Sequence, residues 1–146
     1  MKKIVIIFGI IIVSLVLIIS VSLIENNKNL SNIKAYNKQY EEYYEKIIYG
    51  TDVLTLIYKA TDQNLRNEIK KDEKGYFIEN DINSIKVEIK LLLEEKLLTY
   101  QMETLMNVGL EGFVKNFNLI KFKCIGIQYH NNTKKVKKIV FEQIEE

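Results

Sequence analysis

The sequence has no proline and no tryptophan, and it has one cysteine and one histidine among its 146 residues. With Cys124 alone, the chain cannot form an internal disulfide or a zinc site built from several cysteines. His130 alone cannot supply the converging ligands that a metal needs. If the two lay six residues apart on one strand, about 20 Å would separate them, too far for a nucleophile and its base. We therefore expect no catalytic residue, no metal and no cofactor, and predict a non-enzymatic protein in which Cys124 is a small buried residue.

An excess of positive charge is also missing beyond the N-terminus. Lys2 and Lys3 account for the net charge of +2, because the rest of the chain holds equal numbers of basic and acidic residues. A nucleic-acid-binding protein needs a basic excess to neutralise phosphates. We therefore expect no nucleic-acid partner, and no motif indicates a small-molecule substrate.

The longest uncharged stretch runs from Ile4 to Ile24. As a helix it is long enough to cross the roughly 30 Å hydrocarbon core of a bilayer. The alternative is a secretory signal peptide, whose apolar region usually has about 7–15 residues before a small-residue cleavage site. Ser20-Val21-Ser22 matches such a site poorly. We predict a transmembrane anchor in residues 1–24, in contact with membrane lipid, followed by one domain in residues 25–146.

Charges beside the anchor favour one orientation. Lys2, Lys3 and the amino terminus lie closest to the bilayer on one side, and Glu25 lies immediately beyond it on the other. Positive charge is retained in the cytoplasm. We expect a single-pass protein of the cell membrane with a cytoplasmic N-terminus and an extracytoplasmic domain.

Apolar residues at helical spacing follow the anchor and predict a stalk helix over residues 28–49. The stripe consists of Ile33, Tyr36, Tyr40, Tyr43 and Ile47. Such a stripe either packs on the protein's own sheet or contacts other subunits, and both interpretations stay open. Gly50 is placed to end this helix, and Thr51 to cap a second helix over residues 51–68.

Strand patterns dominate residues 75–146. The sequence predicts a short strand over residues 75–79, and alternation from Ile85 to Leu91 predicts a strand buried on one face. Thr99 is placed to begin a short helix that Gly109 ends, and helical spacing resumes over residues 110–117.

The last part of the chain predicts a hairpin with strands over residues 120–130 and 135–144. The apolar parity changes after Cys124, which requires a β-bulge near Cys124–Gly126. The expected fold class is α+β: an N-terminal transmembrane helix that continues into a long stalk helix, a second helix, and an antiparallel sheet of about four strands.

Lysines are concentrated on this hairpin. They are Lys121, Lys123, Lys134, Lys135, Lys137 and Lys138. One interpretation is a solvated strand face that discourages edge pairing. The other is a surface for anionic lipid headgroups, an anionic wall polymer or an acidic neighbouring subunit.

An apolar N-terminal helix that leads through a stalk into a small antiparallel sheet resembles type IV pilins and pseudopilins. The string from Tyr49 to Ile57 also resembles a helix start found in small membrane-anchored proteins of low-GC Gram-positive bacteria, some of them linked to pilus or secretion assembly. The usual prepilin-peptidase site is missing, because Gly9 lies inside the apolar stretch and is followed five residues later by Ser14.

The resemblance implies a permanently anchored structural or accessory subunit of a pilus-like or secretion-like surface assembly, with other envelope subunits as partners. The alternative is a membrane-anchored binding or sensing module that uses the Lys-rich hairpin for an anionic ligand or wall polymer.

Overall fold

A computed structural model describes the protein over residues 2–93, 95–108 and 110–144. Its backbone divides into two compact units, residues 1–35 and residues 36–146. Helix α1 spans Lys2–Glu41. The chain is α+β, with one long N-terminal helix, further helices and a five-stranded sheet.

Helix α1 is long and apolar enough to cross a membrane. Its apolar side chains from Ile10 to Ile24 are 48–64 % exposed, so this stretch offers its surface to the surroundings. The Ser14 and Ser20 hydroxyls each donate a 2.8 Å hydrogen bond to a carbonyl of the preceding turn. Each of these two hydroxyls therefore has a hydrogen-bond partner inside the helix, which is what a polar group surrounded by lipid needs.

The predicted stalk helix is too long at its C-terminal end. Helix α1 stops at Glu41, and after a turn strand β1 spans Ile47–Tyr49. Glu45 has a φ of 58°, and its N–H donates to the Cys124 carbonyl at 3.2 Å. Ile47 therefore lies on a strand and does not continue the helical stripe. The prediction failed because pairing with a distant strand overrode the local helical spacing.

Gly50 begins helix α2, Gly50–Arg66, and does not end the stalk. A Cβ at Gly50 would lie 1.9 Å from the Phe117 carbonyl oxygen, so only glycine fits this approach. The Asp52 carboxylate accepts a 3.2 Å hydrogen bond from the N–H of Tyr49. Tyr49 thus occupies the N-cap position predicted for Thr51, while the second helix itself is confirmed.

The strand predicted over residues 75–79 is wrong. This segment forms a tight loop in which a single bridge joins Lys71 and Phe77. Asp72 closes the loop, because its carboxylate accepts the N–H groups of Lys74 and Tyr76 at 2.9 and 2.8 Å. Gly75 has a φ of 84°, a value that suits glycine.

Strand β2, Lys86–Leu93, confirms the predicted alternation, since Val87, Ile89 and Leu91 are buried. The side chain of Asn64, on α2, fixes the start of this strand. Its amide donates to the Ile85 carbonyl and accepts from the Ile85 N–H, both at 2.8 Å. A buried amide thereby satisfies both backbone groups of one residue.

Strand β3, Lys96–Gln101, replaces the start of the helix predicted at Thr99. Helix α3 begins only at Met102 and ends at Val108, and helix α4 spans Leu110–Phe117. Gly109, the predicted breaker, lies outside the described residues. Thr99 was misassigned because hairpin pairing with Lys90 of β2 holds it in a strand, which overrides its preference for a helix N-cap.

The sheet has the order β1-β4-β5-β2-β3 and is mixed. Strands β4, Lys121–Tyr129, and β5, Val136–Gln143, form the predicted antiparallel hairpin. The predicted β-bulge between Cys124 and Gly126 is confirmed. Strands β2 and β5 are parallel, which corrects the antiparallel sheet of about four strands. The long connection through β3, α3, α4 and β4 allows the chain to return in the same direction.

The hydrophobic core lies between the helices and one face of the sheet. Its large members are Tyr40, Leu56, Ile57, Ile85, Ile89, Met102, Phe122, Ile139 and Phe141. The opposite face, called the outer face below, carries Lys86, Glu88, Lys90, Lys138 and Glu142, all partly exposed. The sheet is therefore apolar on one face and polar on the other.

Candidate functional site

The two side chains with the most reactive chemistry are buried and held by backbone groups. Cys124 is buried, as predicted, and burial raises the pKa of its thiol. The Nε2 atom of His130 lies 2.7 Å from the Ser84 carbonyl oxygen, and the ring is buried. Within the described residues, no group of three or more His, Cys, Asp or Glu side chains is placed to hold a metal ion.

The tyrosine stripe packs partly on the protein itself. Tyr40 is only 1 % exposed, and its ring centroid lies 5.5 Å from that of Tyr36. The Tyr36 hydroxyl donates to the Val136 carbonyl at 3.4 Å. Tyr43 packs against the same core from the turn, where burial raises its pKa. Contact between these tyrosines and the sheet was one of the two interpretations of the stripe.

Asn37, beside this stripe, joins helix α1 to the final hairpin. Its amide donates to the Lys134 carbonyl and accepts from the Val136 N–H, both at 2.8 Å. Asn37 was not predicted to make this contact, because the apolar spacing that indicates a packed helix face excludes polar residues, although its position next to Tyr36 was a usable signal. Of the five stripe residues, Ile33 is half-buried and Ile47 is exposed. A contact of these two with a partner stays a prediction.

The six lysines of the hairpin do not form one positive surface. Lys138 pairs with Glu88 at 2.7 Å, and Lys137 pairs with Glu79. The hydrogen bond from Lys137 lowers the pKa of the Glu79 carboxyl, and the same bond raises the pKa of Lys137. Acidic and basic side chains are thus interspersed on the outer face, and this mixture weakens the attraction of that face for a polyanion.

The other lysines of the set are dispersed. Lys135 lies 5.4 Å from the centroid of the Tyr36 ring, a cation–π distance. Lys134 sits in the turn with a φ of 58°, and Lys123 is exposed on β4 opposite Glu142. Lys121 lies opposite Tyr49 of β1. The contact of this set with an anionic surface stays a prediction.

Several depressions lie on the surface of the described part of the domain, and two of them are lined in part by tyrosine side chains. The larger, about 630 Å³, is polar and open, and its lining includes Tyr76, Glu79, Lys86, Thr99 and Gln101. The Tyr76 hydroxyl lies 3.0 Å from that of Thr104 at its margin. Since acidic and basic groups are mixed in its lining, the depression selects for neither sign of charge.

The smaller depression, about 460 Å³, is lined by Glu41, Tyr44, Gly126, Ile127 and Tyr129. The Tyr129 hydroxyl donates to the Glu41 carboxylate at 2.8 Å. Burial, followed by this hydrogen bond, raises the pKa of Tyr129 to about 12. The hydroxyl and the carboxylate are therefore hydrogen-bonded to each other at the wall of the depression.

The edge of the sheet at β3 was not predicted from the sequence. Leu97 and Leu98 are adjacent in this strand and 47 % and 42 % exposed. Their signal in the sequence was two leucine-rich runs separated by Glu94 and Glu95, a spacing typical of a hairpin.

Protein-family models, curated proteins and solved structures were each compared with the chain, and none of them matches it.

Proposed function

We propose that the protein is a single-pass membrane protein whose domain docks other subunits of a pilus-like or secretion-like surface assembly. In this proposal the N-terminus is cytoplasmic, the domain is extracytoplasmic, and the role is structural or accessory. The observation that carries it is the combination of a membrane-length apolar helix with a domain whose sheet leaves an apolar edge strand exposed.

Two features of the domain support docking over chemistry. The buried Cys124 and His130 are held by backbone groups, and the ionised residues of the outer face are paired with one another. Exposed leucines on an edge strand, in contrast, are the kind of surface that a second protein covers.

The test is co-purification of the full-length chain from its native membranes in mild detergent. We expect a defined set of envelope proteins to be retained. The matched control carries residues 1–35 fused to an unrelated soluble domain, which separates retention by the domain from retention by the helix. A monomeric chain with no partner, or equal retention by the control, contradicts the proposal.

The orientation is tested separately. Protease added to cells whose wall has been removed should digest the domain while the membrane remains intact. Protection of the domain until the membrane is permeabilised would place it in the cytoplasm and overturn the assigned topology.

A further inference from the structure

Strand β3 is an edge strand with an open side. Strand β2 pairs with it from Glu88↔Gln101 to Leu93↔Lys96 without a bulge. In the part of the chain that the structure describes, no strand pairs with its other side. A continuous row of N–H and C=O groups therefore faces outward, which is a template for another strand.

The side chains of this edge are apolar on both faces of the sheet. Successive residues of a strand point to opposite faces, so Leu97 and Leu98 place exposed leucine on each side. Lys96 is the only charged residue in β3 and its main protection against pairing.

We propose that β3 pairs antiparallel with β3 of a second copy of this chain, centred on Leu98. Two identical strands related by a two-fold axis make an isologous contact, and each sheet then continues into the other. This inference adds a specific partner, a second copy of the chain, to the proposed function. It rests on the proposed function in one respect: both copies are anchored in the same membrane.

The register follows from the backbone and the charges. Outward-pointing backbone groups alternate along a strand, so a strand that pairs with its own copy is centred on a single residue. Centring on Lys96 would bring two ammonium groups together, which is unfavourable. Centring on Thr99 would set Lys96 opposite Met102, which lies beyond the end of β3 in the second copy.

Centring on Leu98 gives the complementary arrangement. Each Lys96 then faces Tyr100 of the second copy, where a cation–π contact can form. Each Leu97 faces Thr99, and the two Leu98 side chains meet at the axis. Centring on Leu97 would instead set Lys96 opposite Leu98, an apolar side chain without a partner for the ammonium.

The hairpin tip argues against lipid as the occupant of this edge. Glu95, next to β3, is exposed and has a φ of 63°. A carboxylate at the tip repels anionic lipid headgroups in whichever leaflet it faces. A protein strand, whose N–H and C=O groups complement those of β3, fits the edge better.

The experiment is oxidative cross-linking of full-length protein, purified alone in mild detergent, in a Cys124→Ala background. Leu98→Cys places two thiols directly opposite each other, with Cβ atoms about 4.5–5.5 Å apart, close to the span of a disulfide. We expect a covalent dimer in high yield. Leu97→Cys is the register control, since its Cβ atoms would be about 7–8 Å apart, and should give at least fivefold less dimer.

A second variant pair tests the register without relying on one position. Leu97→Cys mixed with Thr99→Cys should cross-link between unlike chains more than either does alone. Leu119→Cys controls for random collision, because Leu119 is 79 % exposed, more than any other apolar residue of the domain whose burial the structure describes.

A Leu98→Cys yield no higher than that of the Leu119→Cys control overturns the inference, as does a yield from Leu97→Cys that equals it. In a parallel reaction on native membranes that contain the Leu98→Cys chain, a cross-link that forms only with a different protein also overturns it. Because the assay uses the purified chain alone, its failure leaves the co-purification test of the proposed function untouched.

Discussion

The two edge strands of the sheet, β1 and β3, differ in length and in the regularity of their backbone. Strand β1 has three residues, and it is bounded by Glu45 with a positive φ and by Gly50 against Phe117. Strand β3 has six residues in unbroken register with β2. Ile47 on β1 is 59 % exposed, more than Leu98 on β3. Exposure alone therefore does not distinguish the two edges; the length of regular strand does.

The largest effect is expected where β1 meets helix α2. Gly50→Ala forces a Cβ onto the Phe117 carbonyl and should lower the free energy of unfolding of the domain by about 4 kcal/mol, at the upper end of overpacking costs. Denaturant titration followed by tyrosine fluorescence measures it. The control is Gly112→Ala, at an exposed helical position with open space around it, which should stabilise by about 0.5–1 kcal/mol.

On the β3 side, the corresponding anchor is the Asn64 amide that holds β2. Asn64→Ala leaves the buried N–H and C=O of Ile85 without partners and should cost about 2–3 kcal/mol. The neighbouring Gln63→Ala removes only a side-chain contact with Asn67 and should change stability by less than about 0.5 kcal/mol. Equal losses in the two variants would show that the amide does not fix the start of β2.

Matched substitutions compare the edges directly. Leu98→Lys and Ile47→Lys each add a charge at an exposed strand position and should alter stability by about 0.5 kcal/mol or less. Only Leu98→Lys should abolish the dimer, because it brings two like charges together at the axis. Light scattering of the full-length protein in detergent measures the mass. Loss of the dimer in both variants would remove the distinction between the edges.

Acidification should reduce the stability that the Glu79 carboxylate contributes beside the larger depression. The pKa of Glu79 is lowered in the folded state, so its contribution is present above the ordinary carboxyl pKa and is lost as the pH falls through the folded value. Glu79→Gln should therefore lose less stability than the unchanged protein on acidification, by a small amount that salt reduces further. Thermal unfolding across acidic pH tests this, and parallel curves for the two proteins would contradict it.

The smallest expected change concerns the Lys-rich hairpin. Replacing Lys134, Lys135, Lys137 and Lys138 with Ser abolishes binding to an anionic wall polymer if the hairpin is a binding surface. Because Lys137 and Lys138 already have acidic partners, we expect weak binding at the outset and a small difference. Sedimentation with the purified polymer measures it, with Lys59→Ser on α2 as the control. Strong binding that the four substitutions remove would favour the binding-module alternative.

Local sequence patterns predicted the elements that bury one face, because the apolar side chains of such elements repeat at a regular spacing. The alternation in β2, the apolar spacing of α2 and the parity change at Cys124 each follow from burial of one face. Strands β1 and β3 were missed because neither alternates: β1 has three residues, and β3 is exposed on both faces. The strand conformation of β1 comes from backbone pairing with Lys121–Lys123, which lie far along the chain. Strand β3 pairs with Glu88–Leu93 in a hairpin, and its one local signal was the spacing around Glu94 and Glu95.

The candidate docking edge was hidden for the same reason. Leu97 and Leu98 looked like part of an apolar run, and only the order of the strands places them at a margin of the sheet. The lysines show the converse. Their clustering in sequence suggested one positive surface, whereas the sheet sets Glu79 and Glu88 against Lys137 and Lys138.

By itself, the sequence determined a membrane-length apolar helix, an α+β domain after it, and the strands and helix that bury one face. Those features depend on hydrophobicity and period, which are properties of consecutive residues. Tertiary structure alone decided where helix α1 ends, which strands are parallel and which edge stays open. These depend on hydrogen bonds between residues far apart in the chain, and a free N–H or C=O becomes visible only once every neighbouring strand has been placed.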